Sequence, residues 1–233
     1  NLMIVRETEP VILIGGASLP EGQVDHALRL ARIVIAADGG ADAALTHGIT
    51  PQAVIGDFDS ISQSARATIP DAAQYPDPDQ DTTDFEKCLG AIAAPLILGL
   101  GFCGDRMDHQ LAACTALARH PWQRCILLGA RDLMFLCPPS LNLPLPEGCR
   151  VSLFPMGAVE GVSQGLKWPI GGLNLAPDGR IATSNAALGP VHLVVTAPKM
   201  LVILPVEMLD ITMAALRATI AHWPDAARRS ERA

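Results

Sequence analysis

Short apolar runs alternate with amphipathic stretches through the first 137 residues. Val11-Ile12-Leu13-Ile14 stops at Gly15-Gly16, which predicts a buried strand followed by a turn. Residues 21–31 fit a helix with Val24, Leu28 and Ala31 on one side. Ile33–Ala37 predicts a second strand closed by Asp38-Gly39-Gly40, and Ala53-Val54-Ile55 a third closed by Gly56-Asp57. A helix is expected over 82–93 and another near 108–119, among strands at Leu96-Ile97-Leu98 and Cys125–Leu128. Continuous apolar strands separated by helices predict a parallel sheet covered on both faces.

The texture changes at Pro138-Pro139, where a domain boundary is expected. Beyond it, short runs such as Val151–Phe154, Leu193-Val194-Val195 and Leu201–Leu204 are broken by Gly, Pro and Asn. The fold class predicted is therefore an N-terminal parallel-sheet α/β domain over 1–138, followed by a small all-β sandwich domain over 139–233. Residues 207–222 predict a helix with Met208, Ile211, Ala215 and Ile220 roughly on one side, and the chain from Pro224 reads as a loose tail.

Composition narrows the function classes. A length of 233 residues suits two modest domains, and a hydrophobic content of 49% supplies a core for each. The net charge of −7 disfavours nucleic acid and anionic membranes as partners. Any phosphate ligand must then be held by a metal ion or a local basic group. The six cysteines form no C-x-x-C pair, so reduced thiols in a cytoplasmic protein are expected. No signal-peptide pattern opens the sequence, and no apolar run approaches the roughly 20 residues of a membrane span.

Ligands of parallel sheets bind outside the carboxyl ends of the strands. Acidic residues gather there: Asp38 after the second strand, Asp57 and Asp59 after the third, and Asp77–Asp84 in a later loop. Such clusters repel one another unless a hard divalent cation joins them, and magnesium, with oxygen ligands and substrate phosphates, suits the set. In an extended segment Asp57 and Asp59 would point to one side and face the same ion. Thr83 and Glu86 have capping-box spacing, and negative charge at Asp81 and Asp84 favours a helix start, so structure alone accounts for each of these. Arg106 offers a guanidinium fork to phosphate. Asp108 either caps the next helix or holds a polar substrate group, and His109 is an acid–base candidate beside the same helix start.

Taken in order, these pieces resemble the motifs of the thiamine pyrophosphokinase family. They are Asp38-Gly39-Gly40-Ala41, Gly56-Asp57-Phe58-Asp59-Ser60, Asp79-Gln80-Asp81-Thr82-Thr83-Asp84-Phe85, Arg106-Met107-Asp108-His109, Gly165-Leu166-Lys167-Trp168 and Thr183-Ser184-Asn185. The resemblance runs from about residue 11 to about 204. It implies a homodimer that uses ATP, magnesium and thiamine. It also implies that Asp38, Asp57, Asp59 and Asp84 surround the metal and polyphosphate, with Asp57, Asp59, Asp84 and Arg106 as the catalytic set. Gln80, Thr83 and Arg106 are implied near the phosphates or thiamine, and Asp108 beside them. Asp42 stands where eukaryotic members carry Asn and is implied at the ATP site. Trp168, Ser184 and Asn185 are implied to cover thiamine from the partner subunit. The activity implied is transfer of pyrophosphate from ATP to the hydroxyl of thiamine, with AMP released. Rival readings are a pyrophosphokinase for a pterin alcohol, a phosphatase with Asp57 as nucleophile, and a non-catalytic thiamine diphosphate sensor. A phosphatase would be expected to carry its D-x-D after the first strand rather than the third.

Overall fold

A computed structural model describes residues 3–104 and 106–225. In chain order the elements are β1 (Val5–Arg6), β2 (Val11–Ile14), α1 (Gln23–Leu30), β3 (Ile33–Ala37), α2 (Gly40–Thr46), β4 (Ala53–Gly56), α3 (Gln63–Thr68), β5 (Gln74–Pro76), α4 (Asp84–Ala91) and β6 (Ile92–Ala93). There follow β7 (Ile97–Leu100), α5 (Met107–Arg119), β8 (Cys125–Leu128), β9 (Asp132–Leu136), β10 (Ser140–Leu143), β11 (Arg150–Pro155), β12 (Gly161–Leu166), β13 (Ala182–Val195), β14 (Met200–Pro205) and α6 (Leu209–Ala218). The protein is mixed α/β, with both parallel and antiparallel strand pairs. It divides into two compact units: residues up to 116 with 127–130, and residues 117–126 with those from 131 onward.

In the first unit the strand order is β8-β7-β2-β3-β4-β5. The β7-β2, β2-β3, β3-β4 and β4-β5 pairs are parallel. Every residue of β2 is fully buried, as expected of a strand covered on both faces. The chain leaves β2 to build β3, β4 and β5 on one side, then returns to place β7 on the other. The switch point of the sheet therefore lies between the carboxyl ends of β2 and β7. Gly40 allows α2 to start tight against this end, since a Cβ there would lie 2.0 Å from the Ile14 carbonyl oxygen.

The second unit is antiparallel. Strands β9-β14-β11 pair in that order, and β11 takes residues 182–186 of β13. The remainder of β13 pairs instead with β10 and β12. One long strand thus serves two sheets, its inner positions Asn185, Ala187, Val191, Leu193 and Val195 all buried.

Antiparallel pairing begins at β9, six residues before Pro138, because Leu133–Leu136 lines up with Leu201–Leu204. The closing helix is shorter than the 207–222 span expected, and it buries a different face: Leu209, Thr212, Met213 and Leu216 point inward, while Ile220 is 94% exposed. It stops where Arg124 donates to the carbonyl oxygens of Leu216, Thr219 and Ala221. Of the expected tail, residues 226–233 lie outside those described.

Candidate active site

A cleft of about 660 Å³ opens at the switch point. The turns after β2 and β7, Gly15–Ser18 and Gly101-Phe102, form part of its wall, the acidic loops after β3 and β4 another part, and residues at the starts of α4 and α5 the rest. Asp38, Asp57 and Asp59 each bring a carboxylate oxygen within 4.8 Å of the others. Asp84 and Asp42 line the same cleft.

Asp38, Asp42 and Asp57 each accept from backbone N–H groups of the 57–62 loop. Asp38 is 2% exposed and sits at φ 39°, and its two oxygens accept from Ser60 N–H at 2.9 Å and Ile61 N–H at 3.2 Å. Asp42 accepts from Ser62 N–H at 2.9 Å and from the Ser62 hydroxyl, and Ser62 in turn caps α3 through Ala65 N–H. Two aspartates from the β3–α2 corner therefore fix the 57–62 loop. Within that loop Phe58 is left-handed, at φ 64°. The expected extended D-x-D is corrected here: Asp57 and Asp59 converge through a turn in which Asp57 Oδ1 accepts from Asp59 N–H at 3.2 Å.

Gln80 reaches back from its exposed loop to donate to Asp57 Oδ2 at 3.0 Å. Asp79 is spent on its own turn, accepting from Asp81 N–H and the Thr82 hydroxyl. Thr83 caps α4 by accepting from Glu86 N–H at 3.3 Å, which places Asp84 on the first turn. Gly56 makes the convergence possible, since a Cβ there would lie 2.7 Å from Asp38 Cβ and 3.0 Å from Asp84 Oδ1. Arg106 and His109 line the cleft, and the guanidinium of Arg106 is bidentate on Asp108, at 3.2 and 2.6 Å, with both side chains exposed.

The electrostatics separate these carboxyls. Burial pushes Asp38 up to about 6, helped by the charge of Asp84 and opposed by the Ser60 and Ile61 N–H groups. Burial also raises Asp84, against the Lys87 ammonium. For Asp57 burial is the largest single effect and raises it, but the Asp59 N–H, the Gln80 amide and the Lys87 charge together outweigh it and hold the carboxyl below the ordinary range. Hydrogen bonding to Arg106 lowers Asp108.

Sequence alone does not single out Lys87. Its spacing from Asp84 is that of a helical ion pair, but such pairs are usually solvated, and spacing alone does not reveal burial. Here its side chain is 2% exposed, with Nζ 3.2 Å from Asp84 Oδ1 and 4.0 Å from Asp57 Oδ2.

Trp168, Ser184 and Asn185 belong to the second unit and form a cluster of their own. Trp168 is 55% exposed, with Lys167 Nζ 4.8 Å above its ring. Buried Asn185 accepts from Trp168 N–H at 3.1 Å and donates to the Trp168 carbonyl at 2.6 Å. Ser184 adopts φ 60° and donates its N–H to Ser152 Oγ.

A cluster of aspartates at the switch point of a parallel sheet marks an α/β protein whose ligand cleft lies at the carboxyl ends of its strands. Residues 24–127 match the family model described as thiamin pyrophosphokinase, catalytic domain. Thiamine pyrophosphokinase 3 of Oryza sativa subsp. japonica is 32% identical over 154 residues, spanning 58% of this chain and 58% of that relative. Thiamine pyrophosphokinase 2 of Arabidopsis thaliana is 28% identical over 193 residues, 66% of this chain and 71% of its own. The solved thiamin pyrophosphokinase from Candida albicans shares the fold, with a TM-score of 0.69 at 16% identity over 88% of this chain and 92% of that one. Over residues 24–127 the chain is thus similar to the catalytic domain of thiamin pyrophosphokinases, and it spans a little over half the length of the first of these relatives.

Proposed function

We propose that this protein transfers the pyrophosphoryl group of ATP to the hydroxyl of thiamine, giving thiamine diphosphate and AMP. The observation that carries this reading is the convergence of Asp38, Asp57 and Asp59 at the switch point, inside the stretch matched by the family model. The three clustered carboxylates are hard oxygen donors that fit magnesium, and these three, with Asp84 beside them, would hold it. When bound, magnesium supplies the positive field that an acidic protein needs in order to accept a polyphosphate.

The chain's own part is alignment. The backbone-anchored 57–62 loop fixes the carboxylates before any ligand arrives. Among the described residues the Arg106 guanidinium is paired with exposed Asp108, a pair weak enough to be exchanged for a phosphate. The open turns Gly15-Gly16 and Gly101-Phe102 let the ligand approach the backbone closely. Thiamine is a cation, so an acidic cleft and an indole face both suit it.

The same reading divides the labour between an α/β domain over 1–138, binding ATP and magnesium, and a β-sandwich over 139–233, binding thiamine. Trp168, Ser184 and Asn185 then serve the partner subunit of a homodimer. The exposed Val162 and Val194, which face each other across β12 and β13, offer apolar surface for such a contact. Among the described residues no helix is long and apolar enough to cross a membrane. The cytoplasm is the compartment proposed, on the six free thiols.

Incubation with ATP, magnesium and either thiamine or a pterin alcohol tests the proposal. AMP formed only with thiamine is the expected result. AMP formed only with the pterin redirects the substrate, ADP marks an ordinary kinase, free phosphate a phosphatase, and no turnover a sensor.

A further inference from the structure

Four carboxylates, those of Asp38, Asp57, Asp59 and Asp84, share one end of the sheet. Their mutual repulsion must be met in some way whenever no cation is bound. Arg106 is engaged with Asp108 at the surface. Lys87 is placed differently. It lies one turn along α4 from Asp84, with only 2% of its side chain exposed, and a lysine buried to that extent persists only with a charged partner. It has two: Asp84 from its own helix at 3.2 Å, and Asp57 from the loop after β4 at 4.0 Å. One ammonium therefore ties two elements of the site together. Gln80 donates to the same Asp57 oxygen, and Asp57 Oδ1 keeps its bond from Asp59 N–H.

Lys87 is not among the cleft's wall residues and instead lines a smaller cavity of about 340 Å³ with Tyr75 and Asp77. It stands behind the carboxylates and is not aimed at a ligand in front of them. We infer that Lys87 is the positioning residue of the acidic cleft, a built-in counter-charge that holds Asp57 and Asp84 in place whether or not a metal ion is bound. The inference rests on the cation-site reading above.

The test compares wild type, Lys87→Met, Asp84→Asn and the double variant by thermal melting, in chelator and in saturating magnesium. Breaking a buried pair from one side should lower the Tm of Lys87→Met in chelator by on the order of 10 °C. Removing the orphaned carboxylate as well, in the double variant, should recover a large part of that loss. Magnesium should raise the Tm of Lys87→Met by more than it raises the wild type, because the ion takes over the missing charge. Purely additive losses in chelator, or a Lys87→Met deficit unchanged by magnesium that does raise the wild-type Tm, would overturn the inference. If Lys87→Met does not fold, a folded double variant supports the role, and an unfolded one overturns it by showing that Lys87 is needed for packing. Failure of the metal reading is separate: magnesium then leaves the wild-type Tm unmoved, while the double-mutant cycle in chelator still reports on Lys87.

Discussion

The acidic cleft of the first unit and the Trp168 surface of the second differ in how their polar atoms are held. In the cleft, Asp38 is buried, takes two backbone N–H bonds, and its neighbours are fixed by Ser62, Gln80 and Lys87. At the other surface Asn185 pins only the backbone of Trp168, and the residue stands 55% exposed. A site that must oppose like charges is preorganised at the side chains, whereas the stacking role proposed for Trp168 would need only its backbone fixed and its ring bare. Substitutions should therefore act on chemistry in the first region and on affinity in the second.

The largest effect is expected at the D-x-D turn. Asp57→Asn and Asp59→Asn should each lower kcat by about 100-fold or more while the far-ultraviolet circular dichroism stays that of wild type. Near-normal turnover in both would remove them from the metal site. Gly56→Ala should follow, because its methyl group would meet Asp38 and Asp84 together. A stability loss of about 1–3 kcal/mol in denaturant titration, with reduced turnover, is the outcome expected of overpacking at that point. An unperturbed variant would mean that the carboxylates are less tightly confined than the cleft indicates.

The turn that joins Asp57 and Asp59 also shows where sequence reading stops. The buried strands β2, β3 and β4 are legible as apolar runs, and the acidic residues closing β3 and β4 as loop residues, because burial on both faces leaves no polar position in the strand. The left-handed Phe58 was not legible, since a bulky residue at positive φ carries no local signal. Lys87 was missed for a related reason: its partner Asp57 is thirty residues away and meets it only after β4 and α4 pack. The face of α6 was misjudged because several registers of an apolar ten-residue helix look alike until Arg124 and the strands beside it select one. The motifs around Trp168 and Asn185 were visible, but not that one would hold the other's backbone.

On the second surface, Trp168→Ala should weaken thiamine by roughly 5–30-fold, from lost stacking and cation–π contact, with little change for ATP. Its exposure sets the Tm change at a few degrees at most, so a large Tm drop with equal losses for both substrates would assign the indole to the core instead. Static light scattering should report a dimer, and a fully active monomer would detach this surface from any shared site.

The smallest effect concerns pH. A carboxyl raised to about 6 from its ordinary 3.8 destabilises the folded state when ionised. In chelator the protein should gain stability as the pH falls from 7 through 6 towards 4, and Asp38→Asn should flatten that gain. Asp84, raised by burial, acts in the same direction, whereas the contribution of the lowered Asp57 is lost only at still lower pH. A pH profile unchanged in Asp38→Asn would contradict the burial argument for that residue.

The claim that unites both regions is that two phosphoryl groups leave ATP together. ATP labelled at the β-phosphate, incubated with magnesium, thiamine and the protein, decides it. The account predicts that the label moves into thiamine diphosphate and that the AMP formed is unlabelled. Label retained in ADP, or released as free phosphate with thiamine unchanged, would contradict it.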